Sequence, residues 1–558
     1  MLELDEPVIT PKMVDFLLQD GVVETLISFI TLINKGPRPM SSESPTPELI
    51  TSYKTTVLLT AESPSNELMA VITRKVGVMA KAAFDIFRPD SAGSFYHAYR
   101  LIDCLLRCCP AEFYDAISSD GRLYDRMASL LHYIGYAPVP DIFVCIITLA
   151  PIARSSSLFS ACAKSRWTFF EHLSEWTMIL RIAEVVVRPK EFCCLKDGVS
   201  LEEHSSCAAQ LLQELSEKLS LEETGEILLH PLGYTTEILD YLVFTGVNPN
   251  IVEPIRRASL KLLCFLLKRS AEPELLCMVS TPGREQPVPM CVPNRMHHLR
   301  DLMVEHLTAI LGEVFRILIN YDSADGLSPE KLEAEKALPA VTHIGYSVAK
   351  PFTTMRLLLF EFAVCMVEAS ETVALAIPVE LWTTLMTWIL RYAYNNIFHA
   401  YFYRLLFAVL RQNNDEVLKV LFQKARLMTF LLDTYYNFPQ REDDLLPKIC
   451  DQELRCRDIC RGLMLNSLNA VRLQAASLPP EAFLRQFLEV HMQWDEYEEV
   501  IGGATDFQRE IGFGLRMVDG NRQDIGVGTG AGGGSSILSM SFGSATVDSE
   551  CHPYYSVH

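Results

Sequence analysis

The chain has 558 residues, 49% of them apolar and 21% charged, with 69 acidic against 49 basic side chains and a formal net charge of −20. That is more chain than one compact core organises, so several domains or an elongated array is expected, and the apolar content excludes general disorder. An acidic surface repels phosphate backbones and anionic lipid, which argues against nucleic acid or a membrane surface as partner and suits a basic protein partner.

No stretch reaches the roughly 20 consecutive apolar residues that cross a bilayer. The start, Met1 to Glu6, is acidic and lacks the basic opening of a secretory signal. The 16 cysteines are scattered, many on apolar helical faces such as those of Cys145, Cys264 and Cys365. Reduced thiols packed as small hydrophobes fit that pattern, so a cytoplasmic location is expected.

Apolar residues at helical spacing run almost unbroken from residue 11 to about residue 480. Thr10-Pro11 reads as an N-cap with proline at the first helical position, and Gly21 as its stop. A helix over 22–34 follows, then a Pro/Ser-rich loop over 36–47. Helices are expected over 49–59, 66–87, 94–109, 110–118, 123–134 and 142–150, the last capped by Asp141. Residues 167–187, with Phe169, Phe170, Leu173, Trp176, Ile179, Leu180 and Ala183, predict one long amphipathic helix. Ser200 and Glu203 form a capping-box pattern at the head of 200–219.

Residues 235–244 and 255–269 predict a helix pair, and the prolines of 280–294 a long loop. A helix over 297–320 precedes a charged, turn-rich insertion over 323–350 that holds one weak helix. Helices over 353–369, 380–392, 397–411, 416–422, 428–436, 445–476 and 480–493 complete the ordered part. Beyond Gly502 glycine accumulates, and 526–536 is of low complexity. The expected organisation is one helical domain over 1–502 and a disordered tail over 503–558. Helix pairs that recur every roughly 35 to 50 residues predict an all-α, HEAT/armadillo-like solenoid.

Catalytic chemistry is hard to place. Gly526 to Gly530 imitates a dinucleotide loop but has neither the strand before it nor the helix after it, and reads as linker. His297, His298, Glu305 and His306 lack the spacing of a zinc-enzyme helix and read as a solvated face. Cys450, Cys456 and Cys460 do not make paired zinc ligands and read as core thiols. No phosphate-binding loop, kinase set or serine-nucleophile elbow is present. No catalytic, metal-ligating or cofactor-binding residue is expected, and no cofactor.

The most informative stretch is Trp388 to Leu410. It reads as an aromatic helix end, a polar Asn395-Asn396 step and a second helix whose stripe is Phe398, Tyr401, Phe402, Leu405, Leu406 and Val409. Either asparagine can accept from the free amides at the new helix start, with Asn396 the favoured cap. His399 sits one turn in. Two roles stand side by side: asparagine caps with a histidine satisfied by a neighbouring carbonyl, or exposed groups on a ridge of turns that grip a partner. The same choice applies to His132, Tyr133 and Asp141 around Gly135-Tyr136.

The segment Y-A-Y-N-N-I-F-H at Tyr392 to His399 resembles the Y-P-W-N-N-F-L-H segment of the SAPS family, regulatory subunits of protein phosphatase 6 and its yeast counterpart. Ala393-Tyr394 stands where that segment has Pro-Trp. Three further stretches are similar in the same order. Lys12 to Thr31 resembles the early K-L-(I/V)-(D/E)-F-L segment, Leu131 to Leu149 the L-x-H-I-G segment, and Trp494 to Tyr497 the late W-E-E-F. The resemblance implies a non-catalytic regulatory or scaffold subunit that binds a phosphatase catalytic subunit and positions substrates or further adaptors. It suggests Asn395, Asn396, His399, His132 and Tyr133 as partner contacts. The G-D-x-H-G and G-N-H-E segments of metallophosphatases are absent, so the chain is not expected to be the catalytic one. A helical-repeat adaptor of another class, for transport or trafficking, is the alternative.

Overall fold

The computed structural model describes residues 9–33, 46–60, 65–149, 157–193, 199–279, 288–321, 341–342, 347–348, 351–436, 451–491 and 494–511. The chain divides into a unit of Met1–Ile501 and one of Gly502–His558. Most described residues are helical. The expected loop at 36–45, the weak helix at 323–340, Cys450 and the glycine loop at 526–530 lie outside the described residues.

Helices begin where a short polar side chain can accept from a free amide. Thr10 accepts from Met13 N–H ahead of Pro11–Leu17, Thr46 from Leu49 N–H ahead of Pro47–Leu59, and Ser65 from Leu68 N–H ahead of Asn66–Ala83. At Leu201–Leu219 the capping box is complete. Ser200 Oγ accepts from Glu203 N–H at 3.1 Å, and Glu203 Oε2 accepts from Ser200 N–H at 2.8 Å.

Each helix packs mainly on helices close to it in chain order. Ser157–Glu175 lies on Pro110–Ser118, Leu201–Leu219 on Glu253–Ala271, Glu253–Ala271 on Thr354–Ala369, and Thr354–Ala369 on Asn396–Gln412. Large rings fill the contacts, among them Phe113, Tyr114, Phe169, Phe170, Phe360, Trp382 and Trp388. Burying each such side chain contributes about 1.5–3 kcal/mol before entropy is counted. Some of the polar groups that enter this core find backbone or side-chain partners there. Tyr114 Oη donates to the Ile146 carbonyl at 2.7 Å, and buried Arg166 donates to the Ile147 carbonyl and to Glu222, both at 2.8 Å.

Several expectations are corrected. The single helix over 167–187 is two, Ser157–Glu175 and Met178–Val187. The apolar spacing continues across the break, but Thr177 is left-handed (φ 55°) and Ser174 Oγ donates to the Ile227 carbonyl at 3.1 Å. Glu226–Tyr234 is an additional helix with Pro231 inside it. The expected loop over 280–294 contains a strand. Glu274–Val279 (β1) pairs antiparallel with Val288–Pro293 (β2), and a second short pair joins Val341–Thr342 (β3) to Ser347–Val348 (β4). The last helix, Trp494–Ile511, runs on beyond residue 503, where the tail was expected to begin. Asp141 does not cap. Its helix already starts at Val139, which puts Asp141 in the first turn.

Candidate functional site

The turn between Val379–Arg391 and Asn396–Gln412 is built on a buried cation. Arg356 projects from Thr354–Ala369 and is 3% exposed. Its guanidinium lies 4.3 Å from the ring centroid of Tyr321, 4.8 Å from Trp388, 5.0 Å from Phe352 and 5.3 Å from Tyr392. One arm donates to Tyr392 Oη at 2.7 Å. A weakly hydrated planar cation against aromatic faces is favourable once water is excluded. Phe352 also meets Trp388, Tyr392 and Phe398, with centroids 4.9–5.6 Å away. The end of one helix, the turn and the start of the next thus share one ring cluster.

On that base the backbone turns within four residues. Tyr392 N–H bonds to the Trp388 carbonyl, Asn395 N–H to that of Tyr392, and His399 N–H to that of Asn395. Asn395 is the N-cap, its Oδ1 accepting from Phe398 N–H at 3.0 Å. This corrects the assignment of the cap to Asn396, which is the first helical residue and is exposed. Of the expected stripe, Phe398, Phe402, Leu405, Leu406 and Val409 are buried.

His399 is not a surface contact. It is buried, with a hydrogen bond to the backbone of Ile389 and no partner at Nε2. Burial holds its pKa below the usual histidine value, against a smaller upward pull from the Ile389 bond. The Sγ of Cys460 also donates to the Ile389 carbonyl, at 3.6 Å, so the helix Asp451–Ser477 is tied to the same point. What the turn does expose is Tyr394, Asn396 and Ile397, the last 60% accessible, with Phe407 further along the same helix.

The second candidate turn divides in the same way. His132 is exposed, whereas Tyr133 is buried, its ring centroid 5.2 Å from Phe95 and 5.8 Å from Tyr136. Tyr133 is therefore corrected from surface contact to core. Gly135 N–H donates to Nδ1 of the fully buried His204 at 3.0 Å. A Cβ at Gly135 would sit 2.8 Å from that nitrogen. Burial lowers the pKa of His204, so it accepts as a neutral ring.

Neither turn brings together a nucleophile, a base and an electrophilic partner. His297 Nδ1 is 2.9 Å from the Ser270 carbonyl, and His306 Nε2 is 2.5 Å from Asp240, each a separate contact. Cys460 is buried and Cys456 half-buried. Among the described residues no group of three or more His, Cys, Asp or Glu side chains could hold a metal ion, and no helix is long and apolar enough to cross a membrane. Arg356 is the residue that sequence reasoning missed. Its spacing within Thr354–Ala369 is ordinary, and the rings around it come from as far apart as Tyr321 and Tyr392.

The chain matches no known family model, and neither curated proteins nor solved structures yield a match.

Proposed function

We propose that this chain is a non-catalytic regulatory or scaffold subunit, cytoplasmic, that binds the catalytic subunit of a protein phosphatase 6-type serine/threonine phosphatase. Its helices would stack as a HEAT/armadillo-like solenoid, a reading supported by packing between near neighbours in chain order. The phosphatase reading rests on four segments that resemble the SAPS family in the same order. The observation that carries it furthest is the turn with the most specific of them. Tyr394, Asn396 and Ile397 are displayed there on a framework fixed by Asn395 and Arg356. An exposed aromatic, an amide and a branched aliphatic carried on a fixed backbone turn require no ordering of that backbone when a partner covers them.

The mechanism would be positional. One surface holds the catalytic chain while others bring substrates or adaptors close, which raises their effective concentration. The proposed contacts on this turn are Tyr394, Asn396 and Ile397, with His132 on the other turn, while Asn395 and His399 support them from below. Affinity purification of the tagged chain from cytosol at mild salt should recover a protein phosphatase 6-type catalytic subunit. Ile397→Asp with Asn396→Ala should reduce that recovery at an unchanged melting midpoint. Recovery of no phosphatase catalytic chain by the intact protein would end the proposal.

A further inference from the structure

The β1–β2 hairpin has two outer edges of different kinds. In its register Glu274 faces Pro293, Leu276 faces Cys291 and Met278 faces Pro289. Asn294 N–H donates to the Pro273 carbonyl at 2.9 Å, which fixes the alternation of the ladder. The pairs 275/292, 277/290 and 279/288 exchange hydrogen bonds, and the pairs 274/293, 276/291 and 278/289 turn their backbone groups outward. On β2 the outward positions are Pro289, Cys291 and Pro293, so two of three have no N–H to offer. On β1 they are Glu274, Leu276 and Met278, and all three carry one. Among the described residues no hydrogen bond reaches the amides of Glu274 and Leu276.

One edge is therefore blunted by proline, a common protection against strand pairing, and the other carries no partner among the described residues. Leu275 is buried, so one face of the ribbon is covered, while the face that carries Leu276 is turned outward. Leu276 is 69% exposed and Met290 52%, with Cys291 exposed opposite Leu276. A two-stranded ribbon is marginal in water by itself, so a third strand would complete it.

We propose that the outer edge of β1 receives an extended, basic segment of another protein as a third strand, hydrogen-bonded to the backbone of Glu274, Leu276 and Met278. Strand addition is what a free row of alternating donors and acceptors recognises. The basic character follows from charge. Glu274 is exposed at the edge and has no ion-pair partner among the described residues. The net charge of −20 opposes the approach of a second copy of this chain. This inference does not depend on the phosphatase reading.

The test is selection of random octapeptides on phage against the intact chain, followed by fluorescence anisotropy on synthetic versions. The expected peptides alternate β-branched or aromatic residues and carry Lys or Arg. Leu276→Pro removes one outward N–H while leaving the ladder bonds in place, and should weaken binding tenfold or more. Leu276→Ala keeps that N–H and should retain most of the binding. Glu274→Lys should weaken it as well. A second arm leaves the protein untouched: N-methylation of the peptide at alternate backbone positions should abolish binding in one phase and spare it in the other. The proposal is overturned if no selected peptide depends on Leu276 N–H or on the methylation phase. It is equally overturned if light scattering shows a dimer that Leu276→Pro dissociates, since the edge would then serve a second copy.

Discussion

Asn395 and Asn396 are adjacent and chemically identical, yet only Asn395 points its amide oxygen at Phe398 N–H. Asn395→Ala should cost about 1 kcal/mol, the usual value of an N-cap. Asn396→Ala, at an exposed position, should stay within about 0.5 kcal/mol. Urea denaturation of the two variants decides it, and an equal loss at Asn396 would sink the cap assignment. Arg356 is the costlier residue to change. Arg356→Ala removes a desolvated cation–π contact of about 2 kcal/mol and takes a donor from the buried Tyr392 hydroxyl, about 1–3 kcal/mol more. Arg356→Lys retains the charge without the planar fork, so its loss should be smaller but measurable in the same experiment. A neutral Arg356→Ala would mean that the rings close without the cation.

At the scale of elements, local rules carried well wherever local atoms decide. Thr10-Pro11 and the Ser200–Glu203 box needed nothing beyond their own helices. Elements set by distant atoms were not legible. Thr177 breaks a continuous apolar spacing, Pro231 and Gly233 disguise the helix Glu226–Tyr234, and the prolines of β2 suggest loop although they occupy only outward positions. The site shows the same division: the asparagine step was visible in sequence, the ring cage of Arg356 was not. Glycines give a contrast at this scale. A Cβ on Gly225 would lie 2.2 Å from the Leu219 carbonyl oxygen, a backbone atom that cannot swing away, whereas one on Gly312 meets nothing within 4 Å. Gly225→Ala should therefore destabilise by about 1–3 kcal/mol through overpacking. Gly312→Ala, inside Leu299–Ile319, should stabilise by about 0.5–1 kcal/mol. Melting midpoints that move in the same direction for both would contradict this packing.

For the whole molecule the sharpest test is pH. His97, His204 and His399 are buried on three different helices, and burial lowers the pKa of each below 6.5. His97 Nδ1 meets Ser52 Oγ at 2.7 Å, and His204 Nδ1 accepts from Gly135, contacts made by neutral rings. A histidine whose pKa is depressed on folding binds its proton more readily when unfolded. Below about pH 6.5 the unfolded state then takes up more protons than the native one, and stability falls with falling pH. Above that value the contribution is fully present, so the dependence should flatten above about pH 7. Burial of Asp85, Asp141 and Asp433 raises their pKa values from 3.8, which works the other way. Between pH 7.5 and 5.5 the histidines should prevail. The melting midpoint should drop across that interval, and His97→Asn combined with His399→Gln should make the curve shallower. A wild-type midpoint that rises on acidification over the same range would show that these rings are not held neutral in the core.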